Sequence, residues 1–209
     1  MQTGPSSPAS IVVLISGSGS NLQAIIDGVE AGTISGQITA VISNKSGVKG
    51  LERAAKHGIA NYVLDHTEHA DREGYDQALK TLIDEHNPSI IILAGFMRIL
   101  TEAFVQHYEG RMLNIHPSLL PKFKGLHTHR RAIEAQESEH GCSVHFVTPE
   151  LDGGPIIGQR KVTIDATDTE DSLASKVQKE EHFLYPLCTK LFTEGRLQLT
   201  GAGPASSTH

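Results

Sequence analysis

Two polar side chains in the middle of the chain, Asn114 and His116, have types and a spacing that could do chemistry. They follow an apolar pair typical of the end of a buried strand, and residues two apart on extended backbone point to the same side. Pro117 then ends the strand because it has no backbone N–H to donate. The carboxyl end of a strand is where an open α/β sheet binds its ligands. Taken alone, the pair is better explained as a strand end with two satisfied polar side chains.

A third polar group, Asp152, lies on a turn with Gly153 and Gly154, where the backbone can approach other groups closely. Such turns are common on protein surfaces, so Asp152 becomes a candidate functional residue only when it is considered together with Asn114 and His116. A carboxylate next to an imidazole favours the imidazolium, and the imidazolium and the amide could both donate to an oxyanion. This set suits acyl transfer to an amine. The substrate would supply the nucleophile, because no Ser or Cys lies in a nucleophile elbow.

A glycine-rich turn, residues 16–21, joins an apolar run to a helix whose apolar residues recur at helical spacing. Gly17 and Gly19 suggest a dinucleotide fingerprint, but that motif needs a third glycine at the position of Leu22. The N–H groups at the start of a helix suit a phosphate. We therefore predict a mononucleotide-type phosphate site, with a plain tight turn as the alternative.

Apolar runs alternate with helical periodicities along the chain, as in βαβ units with a parallel sheet. The predicted strands are residues 11–15, 38–42, 59–64, 90–93, the strand that carries Asn114, 142–147, 156–164 and a last short one at 196–199. The predicted helices are one that Gly32 ends, 48–57, 70–86, 101–107, 126–136, and one that a capping box at residues 167–170 opens and that continues to about Phe192.

The predicted fold class is α/β: a single domain, residues 11–200, with a mostly parallel twisted sheet and helices on both faces. The strands at 142–147 and 156–164 are expected to form an antiparallel C-terminal hairpin. Residues 1–10 and 201–209 are small and polar, and we expect disordered tails there. The loop at residues 94–100 is unusually apolar, which would fit either a pocket wall or packing under a neighbouring helix.

The composition argues against several classes of protein. A net charge of −6 with neutral His gives no general attraction for nucleic acid or membrane. No apolar run resembles a membrane span or a signal peptide, so we expect a cytoplasmic protein. Cys142 and Cys188 are predicted to be reduced and buried. His127 and His129 could be half of a metal site, but no third ligand has the characteristic spacing, so we predict helix-face histidines and no metal.

Several motifs of the chain closely resemble those of the folate-dependent phosphoribosylglycinamide formyltransferases. They are residues 16–22, 93–100, 114–121, 125–129, 143–147 and 151–155, and the resemblance covers roughly residues 11–199. The Asn-x-His…Asp set is shared by the enzymes that use formyltetrahydrofolate in this fold. The Gly-Ser-Asn turn and the single-domain length point to this family among them. The resemblance implies a Rossmann-like formyltransferase fold.

The resemblance also implies a reaction and the residues that serve it. A formyl group would pass from 10-formyltetrahydrofolate, as cosubstrate, to the amine of N1-(5-phospho-D-ribosyl)glycinamide in de novo purine (IMP) biosynthesis, without a metal. The implied catalytic residues are Asn114, His116 and Asp152. The implied phosphoribosylglycinamide-binding residues are Gly19, Ser20, Asn21 and Glu181. The implied folate-binding residues are Arg72, Met97, Arg98, Ile99, Leu100, Asn114, Thr148, Pro149, Glu150, Leu151 and Asp152. Ser18 stands where the family often has Asn, and no role is assigned to it.

Three other functions are compatible with parts of this sequence. In formyltetrahydrofolate hydrolase water replaces the amine, but that enzyme usually carries an N-terminal regulatory domain, for which too few residues precede the first strand. Methionyl-tRNA formyltransferase needs a C-terminal tRNA-binding domain and a basic surface. A non-catalytic nucleotide-binding module would use the turn at residues 16–21 but not the catalytic set. As partners we expect small-molecule substrates, no nucleic acid and no membrane, with the protein a monomer or weak homodimer.

Overall fold

The computed structural model describes residues 8–200 and 203–204. Within these ranges seven strands form one sheet in the order β3-β2-β1-β4-β5-β6-β7. They are β1 (Ala9–Ile15), β2 (Gly36–Ser43), β3 (Asn61–Val63), β4 (Ile90–Leu93), β5 (Met112–His116), β6 (Glu139–Phe146) and β7 (Ile156–Thr163). The pairs among β1 to β5 are parallel, whereas β6 is antiparallel to both β5 and β7. The predicted fold class, with its mostly parallel sheet and antiparallel hairpin, is confirmed.

Helices cover both faces of this sheet. They are α1 (Ser20–Glu30), α2 (Lys49–Lys56), α3 (Arg72–Asp84), α4 (Glu102–His107), α5 (Thr128–Glu134) and α6 (Glu170–Thr193), with a 3-10 turn at His66–Glu68. Helices α1 and α6 contribute to the core on one face, and α3 and α4 contribute to the core on the other. The sheet is therefore the middle layer of three.

Strand β1 is central and is buried on both faces. Ile11, Val13 and Ile15 pack on the side of α1 and α6, and Val12 and Leu14 pack on the side of α3 and α4. A strand covered on both sides is a continuous apolar run, which is why its sequence identifies it. Burying each of these side chains stabilises the fold by about 1.5–3 kcal/mol before conformational entropy is counted.

Two helices, α3 and α6, begin later than predicted, and in each the N-cap residue sets the first helical residue. Helix α3 begins at Arg72 because Oδ1 of Asp71 accepts a hydrogen bond from the N–H of Gly74 at 2.7 Å. The capping box predicted at residues 167–170 is wrong. Thr169 is the N-cap of α6, its hydroxyl accepts from the Ser172 N–H at 3.2 Å, and the Ser172 hydroxyl accepts from the Thr169 N–H at 2.9 Å. A serine thus completes the box that the pattern assigned to a glutamate.

The end of α6 explains why the strand predicted at residues 196–199 is misplaced. Gly195 has a φ of 69°, and its N–H donates to the carbonyl of Phe192 at 2.9 Å. The N–H of Arg196 donates to the carbonyl of Leu191 at 2.9 Å, so both residues belong to the helix terminus. The following strands, β8 (Leu199–Thr200) and β9 (Gly203–Pro204), form a separate antiparallel pair.

Several other predictions concern single segments. The strand predicted at residues 59–64 is shorter and is the edge strand β3. The predicted tails fall mainly outside the described residues, and β1 already begins at Ala9. Cys142 and Cys188 are buried free thiols, as predicted, and burial raises the pKa of each to about 12. Across the described ranges, no helix has the length and apolar character to cross a membrane.

Candidate active site

The carboxyl end of β5 carries the first two candidate residues. Asn114 and His116 lie two apart on this strand and so share one of its faces. Asn114 is opposite Leu93 of β4 on one side and His145 of β6 on the other. This is the place where the parallel part of the sheet meets the antiparallel part, and two polar side chains from β5 lie at that boundary.

His116 is buried and has an acceptor at each ring nitrogen. Its Nδ1 lies 3.5 Å from Oδ2 of Asp152, and its Nε2 lies 2.9 Å from the carbonyl oxygen of Phe123. A neutral imidazole carries one N–H, and only the imidazolium can donate at both nitrogens. Both ring nitrogens of His116 thus lie beside oxygen acceptors.

The loop between β6 and β7 places Asp152 beside His116. Asp152 has a left-handed φ of 49°, and its Oδ2 accepts a hydrogen bond from the N–H of Gly125 at 2.8 Å. Gly154 leaves no room for a side chain, because a Cβ there would lie 1.8 Å from the carbonyl oxygen of Phe146. This contact fixes the loop against β6, and with it the position of the carboxylate.

His145 also belongs to the site, although sequence reasoning gave it no role. Its Nε2 lies 3.3 Å from Nδ2 of Asn114 and 3.9 Å from Oδ1 of Asp152. Its Nδ1 donates to the carbonyl oxygen of Phe146 at 2.8 Å, which leaves Nε2 as an acceptor for the Asn114 amide. Burial lowers the pKa of His145, in agreement with a neutral ring. The antiparallel register, which sets residue 145 opposite residue 114, is the signal that could have found it.

The glycine-rich turn after β1 leads to the N-terminus of α1. Gly19 is the N-cap with a φ of 68°, and a Cβ there would lie 2.6 Å from the Cα of Gly50. Both the backbone conformation and the space therefore require glycine. Ser20 and Asn21 begin the helix, where backbone N–H groups have no partner within the helix. The turn thus offers N–H donors at the positive end of the helix dipole.

Helix α6 brings Glu181 to the same turn. Burial raises the pKa of its carboxyl to about 7, against the opposing effect of the Asn21 side chain beside it. Gln178, one helical turn earlier, donates from Nε2 to Oγ of Ser20 at 3.1 Å. Sequence reasoning did not select Gln178, although its i, i+3 spacing from Glu181 places both on one helix face. A cleft of about 420 Å³ at this turn is lined by Ser20, Gln23, Ala24, Asp27, Arg53, His182 and Pro186.

The apolar loop after β4 divides between core and surface. Phe96 is buried in the core on the side of α3 and α4, and Leu100 packs against that core. Met97 and Ile99 are instead 61% and 58% exposed. Both explanations of this loop thus apply, each to different residues. A cleft of about 240 Å³ is lined by Arg72, Met97, Arg98 and Ile99.

Comparisons with known proteins bear directly on this arrangement. Residues 9–189 match the family described as formyl transferase. A phosphoribosylglycinamide formyltransferase of Escherichia coli (strain K12) is 57% identical over 189 residues, which are 90% of this chain and 89% of that protein. This chain belongs to the phosphoribosylglycinamide formyltransferases. The trifunctional purine biosynthetic protein adenosine-3 of Homo sapiens is 45% identical over 91% of this chain, and the match spans 19% of that longer protein.

Solved structures of phosphoribosylglycinamide formyltransferases share the fold. The enzyme from Coxiella burnetii, in complex with CHES, has a TM-score of 0.91 at 47% identity, with 95% of this chain and 93% of that chain covered. Glycinamide ribonucleotide transformylase 1 from Symbiobacterium toebii also has a TM-score of 0.91, at 42% identity, with 93% and 92% covered. The resemblance seen in the sequence is confirmed, and the protein is a formyltransferase of purine biosynthesis. Membership of the family implies a folate-type one-carbon donor.

In this formyltransferase, residues 148–152 contact a different segment from the cleft at Met97. Nζ of Lys124 lies 2.7 Å from Oε1 of Glu150, and the Gly125 N–H is bonded to Asp152. Leu151 is exposed. Among the described residues, none from 148–152 lines the cleft at Met97. Their assignment to the folate site stays a prediction.

The two histidines near the start of α5 differ from each other in this formyltransferase. His127 is the exposed N-cap, with a φ of 57°. His129 lies on α5, and its Nδ1 lies 3.1 Å from Nε2 of the buried His140 of β6. Burial lowers the pKa of His140 to about 4, so this ring is neutral at pH 7. Over the described part of the chain, no three His, Cys, Asp or Glu side chains are grouped so that they could hold a metal ion.

Proposed function

We propose that this formyltransferase transfers the formyl group of 10-formyltetrahydrofolate to the amine of N1-(5-phospho-D-ribosyl)glycinamide, in de novo purine (IMP) biosynthesis. The observation that carries the proposal is the meeting of Asn114, His116 and Asp152 at the end of β5. This cluster has the donors and the carboxylate that acyl transfer to an amine needs. The reactive nitrogen comes from the substrate.

Asn114 and His116 serve the tetrahedral intermediate. The amine attacks the formyl carbon, which forms a C–N bond and turns the carbonyl oxygen into an oxyanion. Asn114 has two amide hydrogens, one directed at His145, and the other donates to the oxyanion. The charged His116 adds electrostatic stabilisation in a buried site, where such interactions are strong. Removing one donor of this kind costs about 10²–10³-fold in kcat.

His116 and Asp152 move the proton that the reaction displaces. Attack leaves an extra proton on the nitrogen of the new C–N bond, and N10 of the folate needs a proton to leave. The buried pair is in contact, with 3.5 Å between Nδ1 and Oδ2. It passes the proton through bound water to N10 as that C–N bond breaks and the carbonyl re-forms. The pair ends in its starting state, and the products are the formylated amide and tetrahydrofolate.

The turn after β1 holds the ribonucleotide. The N–H groups of Gly19, Ser20 and Asn21 bind its phosphate through charge-assisted hydrogen bonds at the helix N-terminus. Glu181, beside Asn21, accepts hydrogen bonds from the ribose hydroxyls. Since donors favour the charged form of a carboxyl, ribose binding ionises Glu181 and offsets the effect of its burial.

The loop after β4 holds the folate. Met97 and Ile99 present apolar surface to the aromatic part of the donor, and Leu100 supports them from the core. The guanidinium groups of Arg72 and Arg98 at the same cleft suit the glutamate carboxylates of a folate. We assign residues 148–152 to the folate site because the sequence resembles the family there.

One experiment separates this proposal from the hydrolase alternative. Release of tetrahydrofolate should depend on added ribonucleotide and should match the formylated product mole for mole. Inorganic phosphate at high concentration should compete with the ribonucleotide and not with the folate, because it occupies the turn at Gly19. Steady release of formate with no ribonucleotide present would assign the protein to the hydrolases instead.

We also propose that the enzyme works in the cytoplasm on small molecules, as a monomer or a weak homodimer. The negative net charge supports this proposal, since it gives no general attraction for nucleic acid. Sedimentation equilibrium over a hundredfold range of protein concentration tests the oligomeric state.

A further inference from the structure

Ser16, the residue that follows β1, has a buried hydroxyl that connects two parts of the site. Its Oγ accepts a hydrogen bond from the backbone N–H of Met97 at 2.8 Å and donates to Oδ1 of Asn44 at 2.5 Å. Asn44 is buried directly after β2, and its Nδ2 lies 3.2 Å from Nδ1 of His66. The hydroxyl hydrogen of Ser16 is thus donated to the buried Asn44, and its oxygen accepts from the loop after β4.

The bond to Ser16 holds this loop in its middle. At its start, the N–H of Ala94 donates to the carbonyl of Leu14 at 2.9 Å. At its end, the N–H of Thr101 donates to the carboxylate of Asp76 at 2.6 Å. Between these two anchors, Met97 carries an exposed side chain on a backbone that is bonded to Ser16. The conformation of the loop that exposes Met97 therefore depends on Ser16, the first residue of the turn after β1.

We propose that Ser16 is a positioning residue that couples the two substrate sites of this enzyme, a role that rests on the proposed function. A ribonucleotide bound at Gly19 to Asn21 fixes the turn that Ser16 begins. The fixed hydroxyl then holds the backbone of Met97, so the folate binds to a loop that is already ordered. The first ligand to bind bears the entropy cost of ordering the turn and the loop. The second ligand then binds a protein that is already ordered, so each ligand raises the affinity for the other. We expect a factor of about 5 or more, equal in both directions.

A matched pair of serines near the two ends of β1 tests this role. Ser16→Ala removes the link between the sites, and Ser10→Ala removes a comparable hydroxyl at the other end of β1. The Ser10 hydroxyl donates to the carbonyl of His86 at 2.9 Å and lies 2.9 Å from Oγ1 of Thr39. Both variants lose two hydroxyl contacts, but Ser10 is far along the strand from the site. Ser16→Thr retains the hydroxyl and serves as the rescue.

The measurement is the calorimetric affinity for an unreactive folate analogue, with and without the ribonucleotide. The wild type, Ser10→Ala and Ser16→Thr should show the coupling, and in Ser16→Ala the factor should fall to near 1. The KM for 10-formyltetrahydrofolate should rise in Ser16→Ala, while ribonucleotide affinity without folate stays unchanged. If Ser16→Ala does not fold, Asn44→Ala, which releases the hydroxyl from its inner acceptor, should reduce the coupling in the same direction.

Two results would overturn the inference: a wild type without coupling, or a Ser16→Ala variant that couples as well as Ser10→Ala. A failure of the proposed function would look different. It would appear as a wild-type protein that releases no tetrahydrofolate in response to the ribonucleotide.

Discussion

Two residues of the candidate site differ in their surroundings. His116 has an oxygen acceptor beside each ring nitrogen, Asp152 at one and the Phe123 carbonyl at the other. Glu181 is held near half-protonation at neutral pH, because burial raises the pKa of its carboxyl to about 7. In the proposed function, the first arrangement stabilises the negative charge that develops during the reaction. The second costs the folded protein stability whenever the carboxyl is ionised without a ligand.

Glu181→Gln should therefore stabilise the protein at alkaline pH and weaken ribonucleotide binding. The folded pKa lies above the ordinary value of 4.5, so the stabilising effect of the protonated form is complete below about pH 4.5 and is lost as pH rises through 7. Between pH 5 and pH 8 the wild type should lose on the order of 2 kcal/mol in unfolding free energy that the Gln variant retains. Urea unfolding at the two pH values measures this difference.

The neighbouring Glu180 provides the control for that measurement. Its carboxylate lies 2.6 Å from Nε of Arg160 in an exposed ion pair, so Glu180→Gln should change stability little and should leave ribonucleotide binding intact. An identical pH dependence in Glu181→Gln and the wild type would show that the carboxyl is not perturbed by burial.

At the scale of elements, the candidate residues follow a single rule. The turn with Gly19 comes after β1, the loop with Met97 after β4, and Asn114 lies at the end of β5. Because these strands are parallel neighbours, their carboxyl ends meet at one edge of the sheet. Strand β6 runs antiparallel to β5, and the loop that follows β6 places Asp152 beside His116. The fold thus brings segments that are distant in the sequence to one edge of the sheet.

The loop after β4 should affect the folate and not the ribonucleotide. Met97→Lys places a charge on the exposed apolar wall, and the affinity for a folate analogue should fall about tenfold or more, since a charge is costly against an apolar ligand. Stability should change by less than about 0.5 kcal/mol, because the side chain is exposed. Val63→Lys, at another exposed apolar side chain on β3, is the control. The thermal shift produced by each ligand is measured for both variants. An unchanged folate affinity in Met97→Lys would show that the loop serves packing only.

For the whole molecule, the sequence predicts those features that depend on local pattern. β1 is a continuous apolar run because both its faces are covered, and Asn114 and His116 share a side because they are two apart on a strand. Residue chemistry adds Asp152 to this pair as a candidate carboxylate. The family resemblance assigns the set its role and adds Glu181, which no local pattern selects. The fold class followed from the alternation of strands and helices alone.

What could not be predicted depends on contacts between distant segments. His145 joins the site through the β5–β6 register, which is set by the whole hairpin and its loop. The Ser16–Met97 bond spans two loops, and neither segment shows a pattern that predicts it. The capping box at Thr169 competes with a second box pattern two residues earlier, and the choice depends on side-chain geometry. The contact between His129 of α5 and His140 of β6 likewise joins two different elements.

Single-turnover formyl transfer by Asp152→Asn, with both substrates saturating, tests the catalytic set most directly. This change keeps the size of the side chain but removes the charge beside His116 and the proton acceptor of the pair. Asp171→Asn, on the exposed first turn of α6, is the matched control. We expect a rate at least about 10²-fold below that of the wild type, with the affinities for folate and ribonucleotide within a few-fold. A rate within a few-fold of the wild type would contradict the assignment of Asn114, His116 and Asp152 as the catalytic set.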